Sequence, residues 1–132
     1  MKGRILKVVK KNNWIQGIYK SPQSPRLQKF RSSWELNLFQ FLDECNNVNS
    51  WESEIVAIPY KYGNKWRRYY PDLLINHKLL IEVKPAGQIA TPMNVAKFKA
   101  AQLFCKSKGW TFMIVTKEIL ANKRLLMEQF SK

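Results

Sequence analysis

Two short stretches carry residues that could do chemistry together: Tyr70-Pro71-Asp72 and, after a mostly apolar run, Glu82-Val83-Lys84. They read as two strands joined by a turn. Glu82 and Lys84 are two residues apart, so on a strand both side chains leave the same face, while Ile81 and Val83 alternate with them toward a core. An acid and a lysine on one face, opposite an aspartate on the neighbouring strand, is a costly arrangement for stability alone. It suits a divalent cation and a phosphate. Phosphodiester hydrolysis needs an activated water, a neutralised phosphate and a stabilised leaving oxygen, and bound Mg²⁺ supplies all three. Mg²⁺ takes hard oxygen ligands, commonly one or two carboxylates plus waters and phosphate oxygens. Asp72 and Glu82 would be those carboxylates, with the Val83 carbonyl as a third oxygen. Lys84 would contact the scissile phosphate or orient the attacking water, and would stabilise the charge that builds up. The chemistry indicated is that of a metal-dependent nuclease.

The elements that must hold these residues can be followed along the chain. From Ser33 the pattern is helical, with Trp34, Leu38, Phe41 and Leu42 on one stripe and an end near Cys45. Two strand-like segments follow, Ile55 to Tyr60 and Trp66 to Tyr70, joined by a turn at Gly63-Asn64, and the second is expected to run on through Asp72 to about Ile75. Asn76-His77 makes a further turn before a third strand, Lys78 to Lys84. Thr91-Pro92 reads as an N-cap with proline at the first helical position, and Gly109 as the closing residue, which predicts a helix over residues 92–108. Its inner stripe is expected to be Val95, Phe98, Ala101 and Cys105, with Lys97, Lys99, Lys106 and Lys108 facing solvent. Trp110 to Thr116 is an apolar run expected to be a buried strand, and Glu118 to about Phe130 a last helix. The crossover through the Pro92 helix can set the last strand parallel to another. The fold class is α/β, a single domain with a mixed sheet flanked by helices.

Glu35 has two readings. Ser32-Ser33-Trp34-Glu35 matches a capping box, with Ser32 as N-cap and Glu35 at the third helical position. Alternatively, Glu35 stands on the first turn of a helix beside the sheet and points at the metal site. Arg68 and Tyr70 alternate onto the face that Asp72 is expected to use; with Arg67, and with Lys61 and Lys65 in the turn, they are candidate phosphate contacts. The alternative is the solvated face of an edge hairpin. Trp51 and Trp66 are expected to serve packing rather than base stacking. His77, the single histidine, sits in a turn without a partner at zinc spacing. No G-x-S-x-G elbow, P-loop or G-x-G-x-x-G occurs.

Composition constrains the partner. The formal net charge is +14, from 23 Lys and Arg against 9 Asp and Glu in 132 residues. So uneven a surface repels itself and points to a polyanion, nucleic acid first, because neutralised phosphates release condensed counterions. No acid precedes Glu35, whereas nine basic residues do, Lys2, Arg4, Lys7, Lys10, Lys11 and Arg31 among them. Residues 1–28, broken by Ser21-Pro22-Gln23-Ser24-Pro25, are expected to form a basic arm that grips DNA and orders on it. Trp14, Ile15, Ile18 and Tyr19 leave open a strand or short helix that covers the body instead. No run of about 18 apolar residues and no signal peptide are seen, so no membrane partner and a cytoplasmic location in a bacterial host, or association with a virion, are expected. Cys45 and Cys105 read as reduced, packed thiols.

A helix bearing Ser-Trp-Glu, then Tyr-Pro-Asp, then Glu-Val-Lys resembles the PD-(D/E)xK nuclease superfamily. Within it, TnsA-type transposon-end endonuclease domains and tailed-phage head-completion nucleases share that look. The matching residues are Phe30-Arg31-Ser32-Ser33-Trp34-Glu35, Ser50-Trp51 with Glu52 to Pro59, Arg68-Tyr69-Tyr70-Pro71-Asp72 and Ile81-Glu82-Val83-Lys84-Pro85. The resemblance spans about residues 29–116. It implies a restriction-endonuclease-like core over residues 29–132, an active-site set of Glu35, Asp72, Glu82 and Lys84, and Mg²⁺, with Mn²⁺ able to substitute. Many TnsA-type domains carry Gln where Glu82 stands, and the additional C-terminal domain of transposon subunits is not expected here. The expectation is therefore a DNA endonuclease of a phage or mobile element, acting in head completion or end processing, alone or with virion or recombination proteins. Two alternatives remain, a non-catalytic DNA-binding or virion nucleoprotein component and a homodimeric junction resolvase.

Overall fold

The computed structural model describes residues 3–12, 14–122, 124 and 128. Its centre is a four-stranded sheet in the order β4 (Trp51–Ser53), β7 (Leu73–Ile75), β8 (Leu79–Lys84), β9 (Thr111–Thr116). β7 pairs antiparallel with both β4 and β8, and β9 runs parallel to β8 after the crossover through α2 (Pro92–Lys108). Both faces are covered. On one, Leu73, Ile75, Ile81, Val83 and Val115 pack with α1 (Ser33–Glu44) through Leu38, Phe39, Phe41 and Leu42. On the other, Leu80 packs with Phe98, Ala101 and Cys105 of α2 and with Ile58, Tyr60 and Tyr69 of a separate two-stranded ribbon, β5 (Ile58–Tyr62) and β6 (Lys65–Tyr69).

Local signals set the element ends. Ser32 Oγ accepts the Glu35 N–H at 3.2 Å, Thr91 caps α2 ahead of Pro92, and Gly109 closes it at φ 74°. Gly63 and Asn64 have φ of 60° and 58°, and Asn76 and His77 of 53° and 60°, the positive pairs that tight hairpins require. Cys45 and Cys105 are buried and free.

Three expectations need correction. The second ribbon strand does not continue to Ile75: it stops at Tyr69, and β7 begins at Leu73 in another sheet. Pro71 lacks the N–H that a continuous ladder would need. Val95 is 52% exposed, and Asn94 takes its place on the inner stripe of α2, with its side-chain amide donating to the Gln88 carbonyl at 2.7 Å. β9 is at the sheet edge, so only Val115 of its residues is fully buried. A short α3 (Lys117–Leu120) follows it, and much of the helix expected as far as Phe130 lies outside the described residues.

The basic N-terminal segment takes the strand form. β1 (Arg4–Lys11) and β2 (Trp14–Lys20) form a hairpin, and β2 pairs with β3 (Gln28–Phe30). β1 and β2 approach closely at Gly17, where a Cβ would stand 2.0 Å from the Lys7 carbonyl oxygen. Asp43 on α1 ties the hairpin down: its carboxylate accepts from the Tyr19 hydroxyl at 2.6 Å, the Ser21 hydroxyl and the Trp51 indole N–H at 2.9 Å. Burial and this acid push the Tyr19 hydroxyl well above its ordinary pKa. Asp43→Ala strands three donors at once and is expected to cost about 2–3 kcal/mol, read as a lower urea midpoint with unchanged slope.

Candidate active site

Asp72 stands one residue before β7. Because Leu73 pairs with Ile81, the register places Asp72 directly opposite Glu82. The Val83 N–H donates to Asp72 Oδ2 at 2.7 Å, and the Asp72 carbonyl accepts the Glu54 N–H at 3.0 Å, so both ends of the residue are fixed. Strand geometry turns the N–H and C=O of one residue to the same side, so the Val83 carbonyl also looks toward Asp72. Glu82 is 4% exposed, and Lys84 Nζ lies 3.4 Å from Glu82 Oε2. Asp72, Glu82 and Lys84 therefore converge, as their spacing predicts, on the α2 face of the sheet.

The electrostatics of this group are unfavourable as they stand. Burial is the main cause pushing the Asp72 carboxyl up to about 7; the Glu82 charge and, more weakly, Glu35 add to it, while the Val83 N–H and Lys84 oppose it. Glu82 is also raised, again by burial, against the pull of the Tyr69 hydroxyl, Lys84 and Lys97. Tyr69 itself is raised far above its ordinary value by burial and the Glu82 charge. Although the Tyr69 hydroxyl lies beside Glu82, neither Tyr69 Oη nor Glu82 Oε1 completes a hydrogen bond, and both are buried. A buried carboxylate oxygen that completes no hydrogen bond, opposite a half-buried second carboxylate, fits a divalent cation in charge and ligand type. Among the described residues, no three Asp, Glu, His or Cys side chains gather as a metal cluster.

Glu35 stays on its cap. Its Oε1 accepts the Arg31 N–H at 2.8 Å and lies 3.4 Å from the Ser32 hydroxyl. The capping reading is thus realised, with the Arg31 amide as donor in place of that of Ser32. α1 packs on the sheet face opposite the one bearing Asp72 and Glu82, and the Glu35 charge is nevertheless felt at Asp72.

Tyr69 and Lys97 were not among the expected site residues. Alternation along an unbroken strand pointed to Arg68 and Tyr70, but the chain changes sheets at Pro71 and parity does not carry across. Tyr69 is buried at the site, Arg68 is exposed and Tyr70 is 47% exposed. Lys97, expected in solvent, is half-buried and sits with its ammonium 5.6 Å from the Tyr69 ring centroid. No local pattern marks it, since its role depends on how α2 lies across the sheet.

The remaining candidates are dispersed. Arg67 and Arg68 are exposed on the ribbon, with Arg67 held by the Tyr62 carbonyl at 3.3 Å, and Lys61 and Lys65 flank the ribbon turn. Trp51 is core, but Trp66 is 72% exposed rather than packed. Arg31 pairs with Glu54 at 2.8 Å. Arg4, Lys7, Lys10 and Lys11 all lie on β1; Lys2 is outside the described residues. No helix among the described residues is long and apolar enough to cross a membrane.

The sequence profile of the family described as TnsA-like endonuclease N terminal matches residues 45–117, more than half of the chain. That span contains Tyr69, Asp72, Glu82, Lys84 and Lys97 and begins after Glu35. The chain is also similar to the head completion nuclease of Enterobacteria phage T4, at 28% identity over 134 residues, covering 80% of this chain and 89% of that protein. No solved structure matches the chain.

Proposed function

Because this chain belongs to the TnsA-like endonuclease family, its mixed sheet being a restriction-endonuclease-like core, we propose that it is a Mg²⁺-dependent DNA endonuclease that acts on phage DNA ends during head completion. The observation that carries the metal dependence is the orphaned, buried Glu82 Oε1 opposite Asp72. Asp72, Glu82 and the Val83 carbonyl would hold the ion. Magnesium bound there supplies Lewis acidity and a water of lowered pKa. The chain's own groups do the rest. Lys84 stabilises negative charge as it develops on the phosphate, and Lys97 neutralises a further phosphate oxygen from the α2 side. Glu35 acts across water, consistent with its place on the cap. Tyr69 and Phe98 form the dry wall that strengthens each of these interactions.

Supercoiled DNA is expected to be nicked with Mg²⁺ or Mn²⁺ and left intact in EDTA. DNA binding without nicking under either metal would favour a non-catalytic component instead.

The pKa shifts add a pH test. The folded state holds the Asp72 proton more tightly than the unfolded chain does. The metal-free protein therefore loses stability as pH rises from about 4, the unfolded value, through about 7. Below about 7 protons compete with the ion. Mg²⁺ is expected to raise Tm more at pH 8 than at pH 5.5, by an amount equivalent to about 2.7 kcal/mol when it is present at roughly one hundred times its Kd. An equal rise at both pH values would contradict ligation by Asp72.

A further inference from the structure

The three N-terminal strands gather most of their cations on one face. Residues opposite each other across a ladder share a face, and successive residues alternate. Tyr19, Gln28 and Phe30 turn inward and are buried. The outward rows are Arg4 with Lys20, Lys7 with Ile18 and Lys29, Val9 with Gln16, and Lys11 with Trp14. Arg4 and Lys7 are three residues apart and would face opposite ways on a regular strand. The register shifts between Ile5 and Lys7, where Leu6 is the extra residue, and this bulge brings both cations to the outer face. Lys10, paired with Ile15, falls on the other side.

That outer face is concave and uncompensated. Lys7, Val9, Gln16, Ile18, Lys29 and Arg31 line a cavity of about 320 Å³ over it. Among the described residues, Arg4, Lys7, Lys11, Lys20 and Lys29 have no ion-pair partner; Arg31 alone is bridged, to Glu54. A fold does not gain stability by gathering like charges on one sheet face.

We infer that the outer face of the β1–β2–β3 sheet is a binding surface for the phosphate backbone of duplex DNA, centred on Lys7 and Lys29. The inference deepens the nuclease reading above and rests on it for the choice of polyanion. Lysines acting as point charges, with Trp14 as the one aromatic on this face, suit phosphates rather than splayed bases, so the grip is independent of sequence. The face ends at Arg31, whose main-chain N–H is held by Glu35.

The test is duplex binding by fluorescence anisotropy in EDTA, where no cutting intervenes, across a salt series. Lys7→Gln/Lys29→Gln is compared with the charge-matched Lys99→Gln/Lys106→Gln on α2. The first pair is expected to reduce the slope of log K against log salt by about 1.8, roughly 0.9 for each phosphate that a lysine no longer neutralises, and the second to leave it near the wild-type value. Melting curves check folding, and the single variants, each expected to remove about half the effect, serve if the double variant melts early. An unchanged slope for Lys7→Gln/Lys29→Gln would overturn the inference. So would an equal drop in slope from both pairs, which would mean net charge alone, or tighter retention on phosphatidylserine vesicles than on duplex. Because binding is read without cleavage, any of these outcomes leaves the nuclease reading standing, and absence of nicking leaves this measurement intact.

Discussion

Asp72→Asn is expected to abolish cleavage while making the metal-free protein more stable at pH 8. The two effects have one cause. Asp72 and Glu82 are opposed across the β7–β8 ladder, both are largely removed from water, and each raises the cost of the other's charge. Asparagine keeps the shape and an oxygen for the Val83 N–H, now 2.7 Å from Asp72 Oδ2, but removes the repulsion. The gain should be about 2 kcal/mol, smaller than the full shift of the Asp72 pKa implies because the surroundings relax, and visible as a rise in Tm of roughly 5–10 °C. Cleavage should fall by about 10³-fold or more, since the ion loses a charged ligand, and the extra Tm conferred by Mg²⁺ should vanish with it. A stabilised variant that still cuts at the wild-type rate would show that Asp72 is a strained structural acid and that the site lies elsewhere. A variant that is inactive and less stable would show that the charge is needed for folding.

Lys84→Met should lower the single-turnover cleavage rate by about 10²–10³-fold, the usual cost of removing one preorganised charge from a developing oxyanion. Its ammonium lies 3.4 Å from Glu82 Oε2, with the lysine side chain 25% exposed and that of Glu82 6% exposed. Removing one partner of a buried pair typically costs about 3–5 kcal/mol. The loss of stability here should be smaller, because Glu82 retains Lys97 and Tyr69 as neighbours and can take up a proton. Mg²⁺ should recover much of that stability without recovering the rate, which separates the chemical role of Lys84 from its structural one. Cleavage within about fivefold of wild type would assign the charge at the phosphate to Lys97 instead.

What the amino-acid sequence determined by itself is what short-range physics controls. The ends of α2 follow from Thr91-Pro92 and Gly109, and the turns at Gly63-Asn64 and Asn76-His77 from residues that tolerate positive φ. The common face of Glu82 and Lys84 follows from the two-residue period of a strand, and the capping contact of Glu35 from its three-residue distance to Ser32. Tertiary structure decided which segments meet. Pro71 ends one ladder and Asp72 opens another, so Tyr69 rather than Tyr70 enters the site. The path of α2 across the sheet brings Lys97 to Glu82. α1 packs on the opposite face and leaves Glu35 on its cap, while a single bulged residue in β1 gathers scattered cations on one surface. Periodicity reports which face of its own element a residue occupies. Which face lies against which is set by burial summed over the whole chain, and no stretch of a few residues contains that information.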